Sequence, residues 1–316
     1  MRLGRSDIHV SRIGLDLGKT WQGALARGGD PMAIAERYVY QGGNFLHVCA
    51  HLPDEAQRQL ASGLRALKTL RSDMVVSANA RLGLTTQHLT TAAIVAHCED
   101  SLRTIGVDGL DLLWIDHFDG LAHSSEMIRA IDDLFKKGVL RAIGIRCRSP
   151  VDITGLHTLL EWWSGVPIAA IEFDAHALSQ DMAQAAMHLV ARARCGWVAR
   201  SAFLDALDVM SHFNNAISSS DKSEVRRRHF SFNDREIHLT YDLLDIAQCR
   251  RTTPMAIGLA WQRAQPHHAS SMVAAQSLAQ IESHLGSLDV ALDTADTDLL
   301  AWRPTGRAST TQAFFA

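Results

Sequence analysis

Two textures alternate along the chain. Short apolar runs bounded by Gly, Asn or Asp recur at residues 13–15, 44–48, 74–77, 110–115, 142–145, 168–173, 197–199 and 272–274, and each reads as a strand. Longer stretches with apolar residues three or four apart occupy 32–40, 55–67, 91–104, 125–137 and 182–194, and read as amphipathic helices. Strands taking turns with helices in this way predict a single α/β domain, a parallel (β/α)8 TIM barrel. Several of the runs are almost wholly apolar, as strands covered on both faces must be. No linker divides residues 1–316. The one shift in texture, at about 205–234, is rich in Ser, Asn, Lys and Arg, and is expected to be a long loop after the seventh strand, with Arg226, Arg227 and Arg228 in a solvated turn.

Composition narrows the class of function. The chain is 47% hydrophobic and 21% charged, a globular ratio. Thirty-one Lys and Arg against 34 Asp and Glu leave a net charge of −3, too little basic field to capture a phosphate backbone or an anionic membrane surface. The expected partner is a small molecule, not a nucleic acid or a membrane. No run reaches the roughly 18 apolar residues of a spanning helix, and the start lacks a signal-type apolar stretch, so a cytoplasmic protein is expected. Cys49, Cys98, Cys147, Cys195 and Cys249 are dispersed and never form a CxxC pair, the usage of reduced thiols.

Specific segments carry a family resemblance. Residues 3–6 and 10–15 (LGRS and VSRIGL) resemble the opening of aldo/keto reductases, and the likeness returns at 43–46 (GNFL), 101–112 (SLRTIGVDGLDL), 137–145 (KGVLRAIGI) and 253–261 (TPMAIGLAW). The resemblance implies a barrel with its pocket at the C-terminal ends of the strands. It also implies carbonyl reduction with a nicotinamide hydride, by a Tyr acid tuned by Lys and Asp with a His orienting the substrate. Set against that pattern, the Asp falls on His47, the Tyr on Leu52, the Lys on Asn79 and the His on Asp116. The cofactor contacts after the fifth strand, on the sixth and at the seventh fall on Arg146 and Cys147, Glu172, and Arg200, the last in place of an aromatic ring that stacks on nicotinamide. The eighth-strand positions fall on Ala274 and Gln276. With tetrad and contacts replaced, no nicotinamide cofactor is expected, although the resemblance by itself implies one.

Projected onto a barrel, the strand ends place Asp16, His47, Asn79, Asp116, Arg146, Glu172 and Arg200 around one space. Such charges are costly to bury unless they pair with one another or with a ligand, and both outcomes are open at this stage. As a working site, the set suits acid/base chemistry on a polar or anionic small molecule: a lyase, dehydratase, isomerase, cyclase or hydrolase. His47, Asp116 and Glu172 are the candidate proton-handling groups. Arg146 and Arg200 are candidate clamps for a planar oxyanion, with Asp16, Asn79 and Trp21 as further substrate contacts. The competing readings are a catalytically inactive binding protein and an NAD(P)H-dependent oxidoreductase with unusual catalytic groups. A metal held by His47, Cys49 and His51 is disfavoured by the neighbouring arginines. Trp114 is expected in the core, and His267 and His268 in an exposed turn.

Overall fold

A computed structural model describes residues 1–48, 54–70, 73–79, 91–115, 124–147, 152–153, 155–157, 160, 165–174, 180–200, 204–205, 207 and 234–301. Strands β1 (Ile13–Asp16), β2 (Phe45–Val48), β3 (Val75–Asn79), β4 (Leu110–Ile115), β5 (Leu140–Cys147), β6 (Ile168–Phe173), β7 (Gly196–Ala199) and β8 (His268–Val273) close in that order into a parallel barrel. The described helices are α1 (Leu17–Leu25), α2 (Pro31–Tyr40), α3 (Asp54–Leu70), α4 (Thr91–Ile105), α5 (Ser124–Lys136), α6 (Gln180–Ala193), α7 (Asp234–Arg250), α8 (Pro254–Ala264), α9 (Leu278–Gly286) and α10 (Thr294–Leu300). The (β/α)8 barrel expected from the pattern is therefore the fold. Most of the proposed long loop lies outside the described residues, as does the Arg226–228 triplet.

Local chemistry starts the helices where the chain turns. Asp30 accepts hydrogen bonds from the Met32 and Ala33 amides ahead of Pro31, and Thr253 caps the helix that opens with Pro254, both good uses of proline at a first helical position. Helix α1 is not among the helices that the hydrophobic period predicts. It is only nine residues long and is started by Asp16, whose carboxylate accepts from the Lys19 amide.

Period-two alternation divides the core. Leu15, Leu46, Val76, Leu113, Ile143, Ile171 and Trp197 pack outward with the helices. Phe45, Val75, Leu112, Ala142, Ala170, Val198 and Met272 fill the barrel interior with Leu3, Ile8 and Val10 of the N-terminal hairpin, which closes the floor. Trp114 belongs to this inner cluster and is fully buried, as expected. Gly144 makes room for it: a Cβ there would lie 2.4 Å from the indole ring.

Strand β8 begins four residues earlier than its apolar run indicated, because Ser270 and Ser271 interrupt the run yet are buried. This corrects the expectation for His268, which is 4% exposed and meets the Trp197 ring edge-on at 5.8 Å. Its Nε2 lies 2.9 Å from Ser271 Oγ, which donates to Gln262 Oε1 at 2.8 Å. Only His267, with φ of 60°, occupies the turn.

Overpacking a filled core costs about 1–3 kcal/mol. Gly144→Ala should lower the unfolding free energy by that amount in urea titrations followed by tryptophan fluorescence. An unchanged midpoint would mean that the interior beneath Trp114 is loosely filled.

Candidate functional site

The register of neighbouring strands assembles the site. Asp16 pairs across to His47, His47 to Ser77, Asn79 to Trp114, and Arg146 to Glu172. Each lies at or next to the C-terminal end of its strand on the inward side, so one period-two rule brings them to one mouth. Arg200 follows β7 directly and reaches the same space.

These side chains form a chain of ion pairs. Arg200 Nη1 donates to Asp16 Oδ2 at 2.7 Å and its Nε to Glu172 Oε1 at 3.0 Å. Arg146 Nε lies 2.6 Å from the same Glu172 oxygen, and its Nη2 is 3.3 Å from Glu172 Oε2. Arg146 Nη1 donates to Asn79 Oδ1 at 2.7 Å, and its guanidinium carbon stands 5.4 Å from the Trp114 ring centroid, a cation–π arrangement. Two carboxylates and two guanidinia thus balance. The alternative of mutual pairing, left open by the sequence, is realised for these four groups.

Arg200 is the outermost member. Its side chain is 18% exposed, against 5% for Arg146 and 2% for Glu172. Among the described residues its Nη2 has no partner. Burial works against the Asp16 carboxylate, but Arg200 foremost, with the Lys19 amide, outweighs it and holds the acid well below the usual range. Glu172 is likewise penalised by burial, then pulled down by Arg146 and Arg200.

His47 stands beside this chain. Ser77 Oγ lies 3.2 Å from the Leu46 carbonyl and 3.2 Å from His47 Nδ1; when its proton goes to the carbonyl it accepts from Nδ1–H, the tautomer that leaves Nε2 its lone pair. Among the described residues Nε2 has no hydrogen-bond partner. Burial, followed by the repulsion of Arg146 and Arg200 against the pull of Asp16, lowers the imidazole pKa to about 3. His47 is therefore neutral at pH 7, an acceptor facing two cations.

Other candidates fall elsewhere. Asp116 lies outside the described residues, as do Cys49 and His51. Trp21 is not brought into the set: it is 1% exposed and packs with Leu15, Leu17 and Ala24 in the outer core, which corrects its expected place in the pocket wall. Cys147 points outward, and burial raises its thiol to about 12. Sequence reasoning missed Ser77, the orienting partner of His47, although its parity with Asn79 placed it on the same face. It also missed Lys19, whose Nζ meets Asp205 at 3.1 Å beside the mouth. No group of three or more possible metal ligands occurs among the described residues, and no helix among them is long and apolar enough to cross a membrane.

The sequence model of the Aldo/keto reductase family matches residues 25–301. The chain belongs to this family. Among solved structures, the holo form of an aldo-keto reductase from Bacillus halodurans superposes with a TM-score of 0.67 at 19% identity, over 95% of this chain and 94% of that one. At that identity the likeness shows a shared fold.

Family members use a nicotinamide nucleotide, and the mouth can be tested for it. The ring needs a flat face to stack on, whereas the end of β7 presents a guanidinium tied on one side to Asp16 and on the other to Glu172. A fixed cation there also repels the positively charged oxidised ring. The protein has three tyrosines, Tyr38, Tyr40 and Tyr241, all on helices. Tyr38 is bonded to Ile13 O and Phe45 N at the opposite end of the strands, and Tyr40 and Tyr241 are exposed. The end of β7 thus presents the paired guanidinium of Arg200 where a nicotinamide ring would need a stacking face.

Two buried imidazoles make folding sensitive to acid. His47 and His268 both have pKa values lowered to about 3, chiefly by burial. Between pH 6.5 and 3 the unfolded chain binds these protons and the native state does not, so stability falls as pH drops, by up to about 1.4 kcal/mol per pH unit for each. Asp16 and Glu172, with lowered pKa values, add loss in the same direction below about pH 4. Urea unfolding at pH 7, 6 and 5 should show a slope that His47→Asn and His268→Asn each reduce by roughly one such increment. A slope untouched by His47→Asn would contradict a neutral buried imidazole.

Proposed function

We propose that this aldo/keto reductase-family protein carries out acid/base chemistry without hydride transfer on a small polar or anionic molecule, in a reaction of the lyase, dehydratase, isomerase, cyclase or hydrolase type. The observation that carries this reading is that His47 Nε2 and the Nη2 edge of the Arg200 guanidinium share one mouth, neither with a hydrogen-bond partner among the described residues. Arg200 anchors a carboxylate or similar oxyanion through its remaining donors. His47 takes the proton and returns it, while Ser77 fixes the imidazole's orientation. Glu172, Arg146 and Asn79 hold Arg200 and the floor of the mouth in place, and Asp16 braces the other side. Asp116 is assigned as the opposite acid/base partner from its place at the end of the fourth strand in the family pattern.

The low basicity of His47 is compatible with this role. Its proton is opposed by burial and by Arg146 and Arg200, and a bound anion on Arg200 offsets both guanidinia from a few ångströms away. Basicity therefore rises when substrate arrives and water leaves.

Residues 1–316 act in this reading as one barrel domain with about 205–234 as its long loop. The described cysteines are unpaired, which supports a reducing, cytoplasmic setting. A binding protein without catalysis is the second reading, favoured by the closed ion-pair chain, which leaves few groups unspent. Family membership by itself favours the third, a reductase.

Two measurements separate them. Titration with NADPH and NADH, followed by quenching of tryptophan fluorescence, should show no saturable binding up to about 1 mM, the top of the usual Michaelis range; micromolar binding would give the reductase reading the lead. Proton NMR of 2-oxo and 3-hydroxy acids in heavy water, with no nicotinamide added, should show exchange or elimination that falls at least about 100-fold in His47→Asn and weakens in KM in Arg200→Gln. Turnover indifferent to both substitutions would sink the assignment of the mouth.

A further inference from the structure

At the end of the barrel opposite the ion-pair chain, a cavity of about 660 Å³ opens among the residue pair that leads into β1, the turn before β2, the last turn of α8 and the segment after α9. That volume is in the range of small-molecule sites. Its walls include Ala260, Ala264, Leu288 and Val290, and its polar lining includes two arginines, Arg12 and Arg263.

The arginines are placed without the carboxylates that accompany the cations of the mouth. Arg263 is held rigidly, Nη1 donating to Ser287 O at 2.7 Å and Nη2 to Val290 O, which uses two of its five N–H donors. Arg12 has no hydrogen-bond or ion-pair partner for its guanidinium among the described residues. The two repel each other: Arg263 is lowered first by burial and then by Arg12, and Asp289, on the neighbouring turn, acts on Arg263 without pairing with it. Buried His268 is lowered to about 3, by burial and then by both arginines, so it supplies no countercharge. Like charges lining one partly apolar cavity are costly unless an anion relieves them.

We propose that this cavity is a second binding site, for a small organic anion with an apolar body. Its oxyanion lies on Arg12 and Arg263, and its body lies against Ala260, Ala264, Leu288 and Val290. The apolar walls distinguish it from a site for inorganic phosphate. It shares no residue with the mouth, so it stands or falls separately from the reaction proposed there.

Calorimetric titration of the full chain with decanoate and with decanol tests the assignment. Decanoate should bind saturably at one site, at least tenfold more tightly than decanol, which keeps the chain and lacks the charge. Arg12→Ser and Ala264→Glu should each weaken decanoate at least tenfold without changing the melting temperature, since Arg12 has no partner to lose and Ala264 is exposed. Arg200→Gln, at the other end of the barrel, should leave decanoate binding as it was. Absence of saturable binding below about 1 mM, equal affinity for decanol, affinity that survives Arg12→Ser, or affinity lost with Arg200→Gln would each overturn the proposal.

Discussion

The carboxylate of Glu172 is the element on which the mouth depends. It accepts from Arg146 and Arg200 together, and through them β6 is tied to β5, β3, β7 and β1. A buried guanidinium without its partner costs several kcal/mol, more than most single contacts contribute, so none of the four charges could have arisen alone. The chain is a cooperative solution: Asp16 requires Arg200, Arg200 requires Glu172, and Glu172 is left with spare negative potential unless Arg146 shares it. Asp16 serves twice, because the same carboxylate starts α1 through the Lys19 amide. The conformation of the first β–α connection and the charge state of the mouth are thereby coupled.

That arrangement explains why the two layers of the barrel interior differ so sharply. Below Trp114 the inward positions are apolar or absent, down to glycine; above it they are mostly polar or charged. Trp114 is the boundary, one face in the apolar layer and a guanidinium above its ring. A tryptophan suits that position because its large ring buries apolar surface while its negative π face accepts a cation.

Much of this was legible from period-two alternation. The family resemblance and the projection of strand ends onto a barrel placed Asp16, His47, Asn79, Arg146 and Glu172 around one mouth, and the observed period-two alternation agrees, since in a closed parallel barrel direction and height follow from position in the strand. Which charges meet which did not follow, because it depends on side-chain reach across two strands: Arg200 spans the end of β8 to find Asp16, and no spacing in the chain encodes that. Short polar strands and short helices were the other blind spots. Ser270 and Ser271 hid the start of β8, and with it the burial of His268, because two adjacent hydroxyl residues look from sequence like a turn even where both are buried and one of them is bonded to Gln262. Trp21 was misplaced for a related reason: an aromatic ring after a strand marks a pocket wall only if the chain stays extended, and the Asp16 cap turns it into a helix whose inner face is core.

The charge balance also bears on how a proton would move in the proposed reaction. Counting the described groups, the mouth holds two negative charges and two positive ones around a neutral imidazole, so its resting state is electrically closed. A monoanion bound on Arg200 upsets that balance by one unit in a poorly solvated space, and the nearest group able to restore it by taking a proton is His47, whose Nε2 is open. Proton uptake and substrate binding are then linked, and each favours the other by the same free energy. A barrel mouth with a permanently charged histidine would bind the anion more tightly, yet it would have no base left to use. Keeping the imidazole neutral until the anion arrives reconciles binding with chemistry, and the two arginines that lower its basicity in the resting state are the groups whose charge the anion offsets.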